Sequence, residues 1–190
     1  MLKLKVETPR GWVDQVMESP ADLVTDHIHC EQKAVLSALS LMNAWPDHTE
    51  LVAAMADLAE EEASHIRMVI DFARERGYAY RKAGSDRYAS RLHPLIRKGT
   101  TFKLLDQLLI SAIIEARSCE RFDLIVRFSH DAGFRNFYRT LFESEARHYA
   151  LFVNLALTYY NREVVFARLD ELLNAEADII GSLPPEPCMH

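Results

Sequence analysis

The sequence predicts an all-α protein: a four-helix bundle with a long crossover between the second and third helices and an additional C-terminal helix. Three observations carry that prediction. Four long segments keep apolar or small residues at steps of three and four, the period of one helix face. All six glycines and all seven prolines fall at segment boundaries, in an N-terminal arm, in the crossover or in the tail, so no helix breaker interrupts a proposed helix. The connections run short, long, short, which makes the first two helices one antiparallel pair and the next two another.

At 190 residues and 49% apolar content, one domain, 1–190, is enough to bury a core. Residues 1–18 form an arm of undefined regularity, in which Pro9-Arg10-Gly11 breaks the period and Trp12, Val13 and Val16 are available for packing. Ser19-Pro20-Ala21-Asp22 reads as a helix start: a serine cap, proline at the first helical position and an acid in the first turn. Residues 19–77 hold the first two helices, divided near Trp45-Pro46, with Asp47 as the expected cap of the second and Gly77 as its end. Residues 78–100 are the crossover. Thr100 or Thr101 opens the third helix, Asp131-Ala132-Gly133 is read as a tight turn, and the fourth helix closes the span 101–161. A fifth helix over 162–181 carries Val165, Leu169, Leu172 and Leu173 on one side, and 182–190 is a tail.

The bundle is organised around a repeated motif. Glu62-Ala63-Ser64-His65 returns as Glu145-Ala146-Arg147-His148 on a second long helix. Residues three apart share a helix face, so each pair can direct a carboxylate and an imidazole at one metal ion. Glu31 precedes the first motif and Glu115 the second, at nearly equal separations. All six interrupt stripes that are otherwise mainly apolar or small, such as Leu51, Met55, Leu58, Glu62, His65, Val69 and Phe72. An apolar core rejects lone carboxylates at a cost of several kcal/mol each, and dications remove that cost. One Glu from each of two helices and Glu-x-x-His from each of the other two is the ligand set of ferritin-like di-iron and di-manganese carboxylate proteins. With the short-long-short connectivity it predicts a ferritin-like four-helix bundle. Four carboxylates and two imidazoles suit iron or manganese.

Other residues receive plainer readings. Glu60, Glu61, Glu120 and Glu143 fall on other faces and read as solvated charge, and His27, one turn before Glu31 and near its face, allows a contact with that ligand or with substrate but reads first as a structural histidine. Cys30, Cys119 and Cys188 form no C-x-x-C pair and suit a reducing cytoplasm; the first two read as core or near-core residues. No signal-peptide pattern opens the chain and no apolar run of about 18 residues occurs, so a cytoplasmic protein without a membrane span is expected.

The formal charge of −6 hides an uneven distribution. From Arg76 to Lys103 there are eight basic residues and one acid, Asp86. Tyr78, Tyr80 and Tyr88 are interleaved with Arg81, Lys82, Arg87 and Arg91, and Arg97, Lys98 and Lys103 follow. Cations can hold phosphates while aromatic rings stack on unpaired bases, so this segment is the expected nucleic-acid contact.

Glu31 within His29-Cys-Glu-Gln-Lys33, Glu115 within Ile114-Glu-Ala-Arg-Ser-Cys-Glu-Arg121, and Glu145 within Glu143-Ser-Glu-Ala-Arg-His-Tyr149 resemble the bacterial tRNA hydroxylase family, from about Pro9 to Ile180. The resemblance implies two iron ions per chain, ligated by Glu31, Glu62, His65, Glu115, Glu145 and His148. It implies an O₂-dependent monooxygenase that hydroxylates the isopentenyl tail of 2-methylthio-N-isopentenyladenosine in tRNA. It further implies tRNA as partner, and the charge pattern makes Arg81, Lys82, Arg87, Arg91, Arg97, Lys98 and Lys103 the expected contacts. This chain carries no dinucleotide fingerprint or cysteine cluster, so its electrons must come from a separate reductase. The rival reading is a ferritin-like iron oxidase or storage protein, or a peroxide-reducing one. A rubrerythrin-like site needs four cysteines where this chain has three. The oligomeric state is left open, a monomer included.

Overall fold

A computed structural model of the chain describes residues 4–82, 86–99, 101–184 and 186–189. Among them the regular structure is entirely helical: α1 (Gly11–Glu18), α2 (Pro20–Ala44), α3 (Thr49–Glu75), α4 (Arg87–Leu92), a 3₁₀ turn (His93–Leu95), α5 (Lys103–Phe128), α6 (Ala132–Tyr159) and α7 (Arg162–Ser182). The all-α prediction holds. Two compact units divide the chain, one of residues 14–84 with 186–189, the other of 1–13 with 85–185 and 190.

The first unit is a helical hairpin in which α2 packs along α3. Leu23, Val24, Ile28, Ala38 and Leu41 of α2, with Leu51, Met55, Leu58, Val69 and Phe72 of α3, are buried at the expected spacing. At the end of α3, Gly77 adopts φ 70°, while its N–H bonds to Arg74 O and the Tyr78 N–H to Ala73 O. These two bonds satisfy the last carbonyls, and the left-handed conformation explains the glycine.

Several boundaries differ from expectation. His48, not Asp47, precedes the first residue of α3, because a turn closed by His48 N–H to Trp45 O delays the helix by one residue. Residues 11–18 of the arm are helical, and the Ser19 N–H bonds back into α1 at Gln15 O and Val16 O. Ser19 therefore precedes α2 without a side-chain cap. Phe102, not Thr101, precedes α5; Thr100 and the crossover's Gly84 lie outside the described residues. Asp131 caps α6 by accepting from the Phe134 N–H, which places Ala132 and Gly133 in its first turn. Gly181 lies in the last turn of α7, so the absence of breakers is a property of helix interiors and not of their ends.

In the second unit α5 packs against α6 and α7, and α4 against α7. Leu104, Leu105, Leu108, Leu109, Ile113 and Phe122 bury nearly the whole circumference of α5, as befits a central helix. Asp86, the lone acid of the basic segment, caps α4 by accepting from the Ala89 N–H.

Two buried ionic clusters lock this unit. Arg117 of α5, fully buried, donates to Glu176 of α7 at 2.7 and 3.1 Å, to Glu120 at 2.8 Å, to Thr8 Oγ1 at 3.2 Å and to the Val6 carbonyl at 2.9 Å. Burial lowers its pKa, but the charges of Glu176 and Glu120 outweigh that and hold it above the usual value. Asp106 accepts from the guanidinium groups of Arg97 and Arg168 at 2.7–3.3 Å. Burial pushes its carboxyl up, and those two cations bring it below the ordinary carboxylate range.

Candidate metal centre

In the first unit α2 presents Glu31 and α3 presents Glu62 and His65, all buried, in the register of the hydrophobic residues around them. Each offers a ligand atom within 4.8 Å of the others. His65 Nδ1 lies 2.9 Å from Glu62 Oε2 and 3.8 Å from Glu31 Oε2. Burial disfavours its imidazolium, but interactions with Glu31 and Glu62 prevail and raise the pKa to about 10. Two carboxylates and one imidazole thus share a small buried volume.

The second unit repeats the arrangement. Glu115 comes from α5, Glu145 and His148 from α6, all three buried, with ligand atoms again within 4.8 Å. His148 Nδ1 is 3.7 Å from Glu145 Oε2. Cys119, one turn beyond Glu115, is buried and its Sγ faces the Phe142 carbonyl at 3.9 Å. Burial, then the charges of Glu145 and Glu115, push its pKa far up, so it stays a thiol and behaves as the core residue it was read to be.

The donor set fits a dication. Each triad carries up to two negative charges against at most one positive charge on its imidazole, and all its members are withdrawn from bulk water. A divalent ion supplies the missing positive charge, and Glu and His oxygens and nitrogens are its ordinary ligands.

The structure also decides one open reading and corrects two others. His27 contacts Glu31: its Nε2–H donates to Glu31 Oε1 at 2.6 Å, both residues being buried. Glu120 is not a solvated charge, since it accepts from Thr8 and Arg117. Tyr88 cannot stack on a base; it is fully buried and its hydroxyl donates to Glu176 at 3.0 Å. Of the basic residues, Arg81, Lys82, Arg87, Arg91, Lys98 and Lys103 are exposed. Arg91 also donates to Ser182, and Arg97 is engaged by Asp106. Tyr80 is half exposed and stands over His29 with ring centroids 5.1 Å apart.

Sequence reasoning passed over Asp106, Arg117 and Glu176. A usable signal existed for each: Asp106 interrupts Leu-Leu-Asp-Gln-Leu-Leu, Arg117 continues the stripe of Ile110, Ile113 and Ile114, and Glu176 continues the stripe of Val165, Leu169 and Leu172.

The pattern of the family described as tRNA-(MS[2]IO[6]A)-hydroxylase (MiaE) matches residues 2–190. A tRNA 2-(methylsulfanyl)-N(6)-isopentenyladenosine(37) hydroxylase of Pseudomonas putida is 39% identical over 184 residues, covering 96% of this chain and 89% of its own. The hydroxylase of the same name from Salmonella typhimurium is 29% identical over 229 residues, covering 94% and 84%. A solved structure, protein 43 with aldehyde deformylating oxygenase activity from Synechococcus, shares the fold at a TM-score of 0.95 and 34% identity, covering 100% of this chain and 96% of that one.

Proposed function

The chain belongs to the tRNA-(MS[2]IO[6]A)-hydroxylase family, and on that premise we propose that it hydroxylates the isopentenyl group of 2-methylthio-N-isopentenyladenosine in tRNA, at a centre of two iron ions. The observation that carries this reading is the pair of buried Glu/Glu/His triads, one in each compact unit, in a chain of this family. Glu31, Glu62, His65, Glu115, Glu145 and His148 would hold the two ions. Bound there, iron would supply O₂ activation: one oxygen atom enters a C–H bond as hydroxyl, and the other leaves as water with two electrons and two protons from outside.

The chain's own residues do the rest. The triads stand on long, well-packed helices, which fix the backbone from which each donor projects. Buried Leu58 and Val69 of α3, and Leu141 and Phe152 of α6, flank the ligands along their helices and exclude water. Exposed Arg81, Lys82, Arg87, Arg91, Lys98 and Lys103 would hold tRNA phosphates, and Tyr80 offers a ring to an unpaired base. Arg97, already engaged by Asp106, would contribute less. The electrons come from a separate reductase, and the site of action is the cytoplasm; among the described residues no helix is long and apolar enough to cross a membrane.

Mass analysis of tRNA nucleosides from cells with and without this protein tests the reaction. Hydroxylated 2-methylthio-N-isopentenyladenosine should vanish in its absence, and persistence of the hydroxylated base would refute the assignment. The 34% identity to a protein with aldehyde deformylating oxygenase activity supports a second reading, oxygen chemistry on an aldehyde. Turnover of an aliphatic aldehyde, with no change in tRNA nucleosides, would favour it. Reversing Arg81, Lys82, Arg87 and Arg91 to glutamate tests the RNA contact: tRNA binding should weaken and its log–log salt slope flatten by about one unit per lost phosphate contact, with iron content unchanged.

A further inference from the structure

We propose that His27 is a positioning residue for Glu31, one that reserves a single oxygen of that carboxylate for the metal and makes the two metal positions inequivalent. The inference rests on the di-iron reading above.

His27 and Glu31 lie one turn apart on α2, where side chains four residues apart meet on one face. The His27 Nε2–H donates to Glu31 Oε1 at 2.6 Å, short for such a bond. The other oxygen, Oε2, faces His65 Nδ1 at 3.8 Å, and that same Nδ1 lies 2.9 Å from Glu62 Oε2. The carboxylate is thus divided: one oxygen is engaged by an imidazole, the other turned to the ligand cluster. Both side chains are buried, and the adjoining Leu23, Val24 and Ile28 are fully packed, so the imidazole has little room to swing away.

The same offset carries no histidine before the other glutamates. One turn before Glu115 stands Ser111, whose side chain is shorter and carries no imidazole; one turn before Glu62 and Glu145 stand Leu58 and Leu141. The ligand set repeats between the units, and a histidine one turn before the upstream glutamate does not. Such outer partners, by fixing ligand orientation and basicity, ordinarily change metal affinity 10–100-fold when removed.

The test compares His27→Leu, His27→Asn and His27→Gln with the wild type, each loaded with ferrous iron alone under anaerobic conditions. Glutamine can place an amide nitrogen near the position of Nε2; asparagine is too short to reach it. Circular dichroism and metal-free melting check that each variant folds. Wild type should bind two ferrous ions with two distinguishable Mössbauer doublets. His27→Leu should weaken one of the two sites by roughly 10–100-fold and alter one doublet while leaving the other. His27→Gln should restore most of both. Should the leucine variant not fold, the asparagine and glutamine variants give the same contrast. Unaltered affinities and doublets in His27→Leu or His27→Asn would overturn the proposal. So would equal losses in the glutamine variant, which would make His27 a packing residue. Failure of the wild type to take up a second iron would instead overturn the di-iron reading, and this inference with it.

Discussion

Arg117 and Glu62 are both fully buried on long helices, yet their surroundings treat charge in opposite ways. Arg117 spreads its donors over Glu176, Glu120, Thr8 and a backbone carbonyl, so the guanidinium itself is fully engaged by the chain. Asp106 is the mirror case, one carboxylate between two guanidinium groups. Glu62 has the Glu31 carboxylate and the His65 imidazole beside it, and Glu115, Glu145 and His148 form a second group of two carboxylates and one imidazole. A closed cluster serves folding and needs no ligand. A cluster with excess carboxylate is stable only when protons or metal ions complete it.

The largest test of that contrast is Arg117→Met. It leaves Glu176 buried without its cation, and chemical denaturation should show a loss of about 3–5 kcal/mol. In metal-free protein Glu62→Gln, which removes excess negative charge, should cost little or raise stability. Comparable losses from both substitutions would erase the distinction.

Metal addition sharpens it. Ferrous or manganous ion should stabilise the wild type by about 2.7 kcal/mol per occupied site at a hundredfold excess over the dissociation constant, raising the melting temperature by several degrees. Glu62→Gln should lose most of that increment and Arg117→Met should keep it. An unchanged melting curve under confirmed metal uptake would break the link between excess carboxylate and metal.

Acid should act on the closed cluster next. The Asp106 carboxyl lies below its ordinary value in the folded chain, so its contribution is complete above about pH 4 and is lost as pH falls through the lowered value. Urea midpoints measured from pH 6 to pH 3 should fall less steeply in Asp106→Asn than in the wild type. Equal slopes would show that Asp106 does not govern the acid limb.

The smallest expected effect is that of Tyr88→Phe. Loss of one buried hydroxyl that donates to Glu176 should cost about 1 kcal/mol. Affinity for tRNA should not change, because the ring is inaccessible; a weaker tRNA complex at unchanged salt slope would show that Tyr88 reaches the RNA after all.

The helices were legible because each keeps one period for many turns, so a misread residue changes little. Their ends were less legible. Asp47 and Thr101 carry good capping side chains, but a turn closed by Trp45 and His48 and a start at Phe102 decide which residue comes first. Glu120 shows the same limit: on a helical wheel it points away from the apolar stripe, and only the arm carrying Thr8 makes that side interior.

By itself the sequence determined the all-α class and the candidate ligands Glu31, Glu62, His65, Glu115, Glu145 and His148, since both follow from spacing within single helices and the period is local. Tertiary structure alone decided which other charges lie inside. Arg117, Asp106 and Glu176 are stabilised by partners that are mostly far away in the chain, Tyr88 is withdrawn from the basic segment by Glu176, and the distance at which His27 meets Glu31 depends on how α2 is packed. Burial and pairing are properties of what surrounds a residue, and periodicity along one helix does not contain that information.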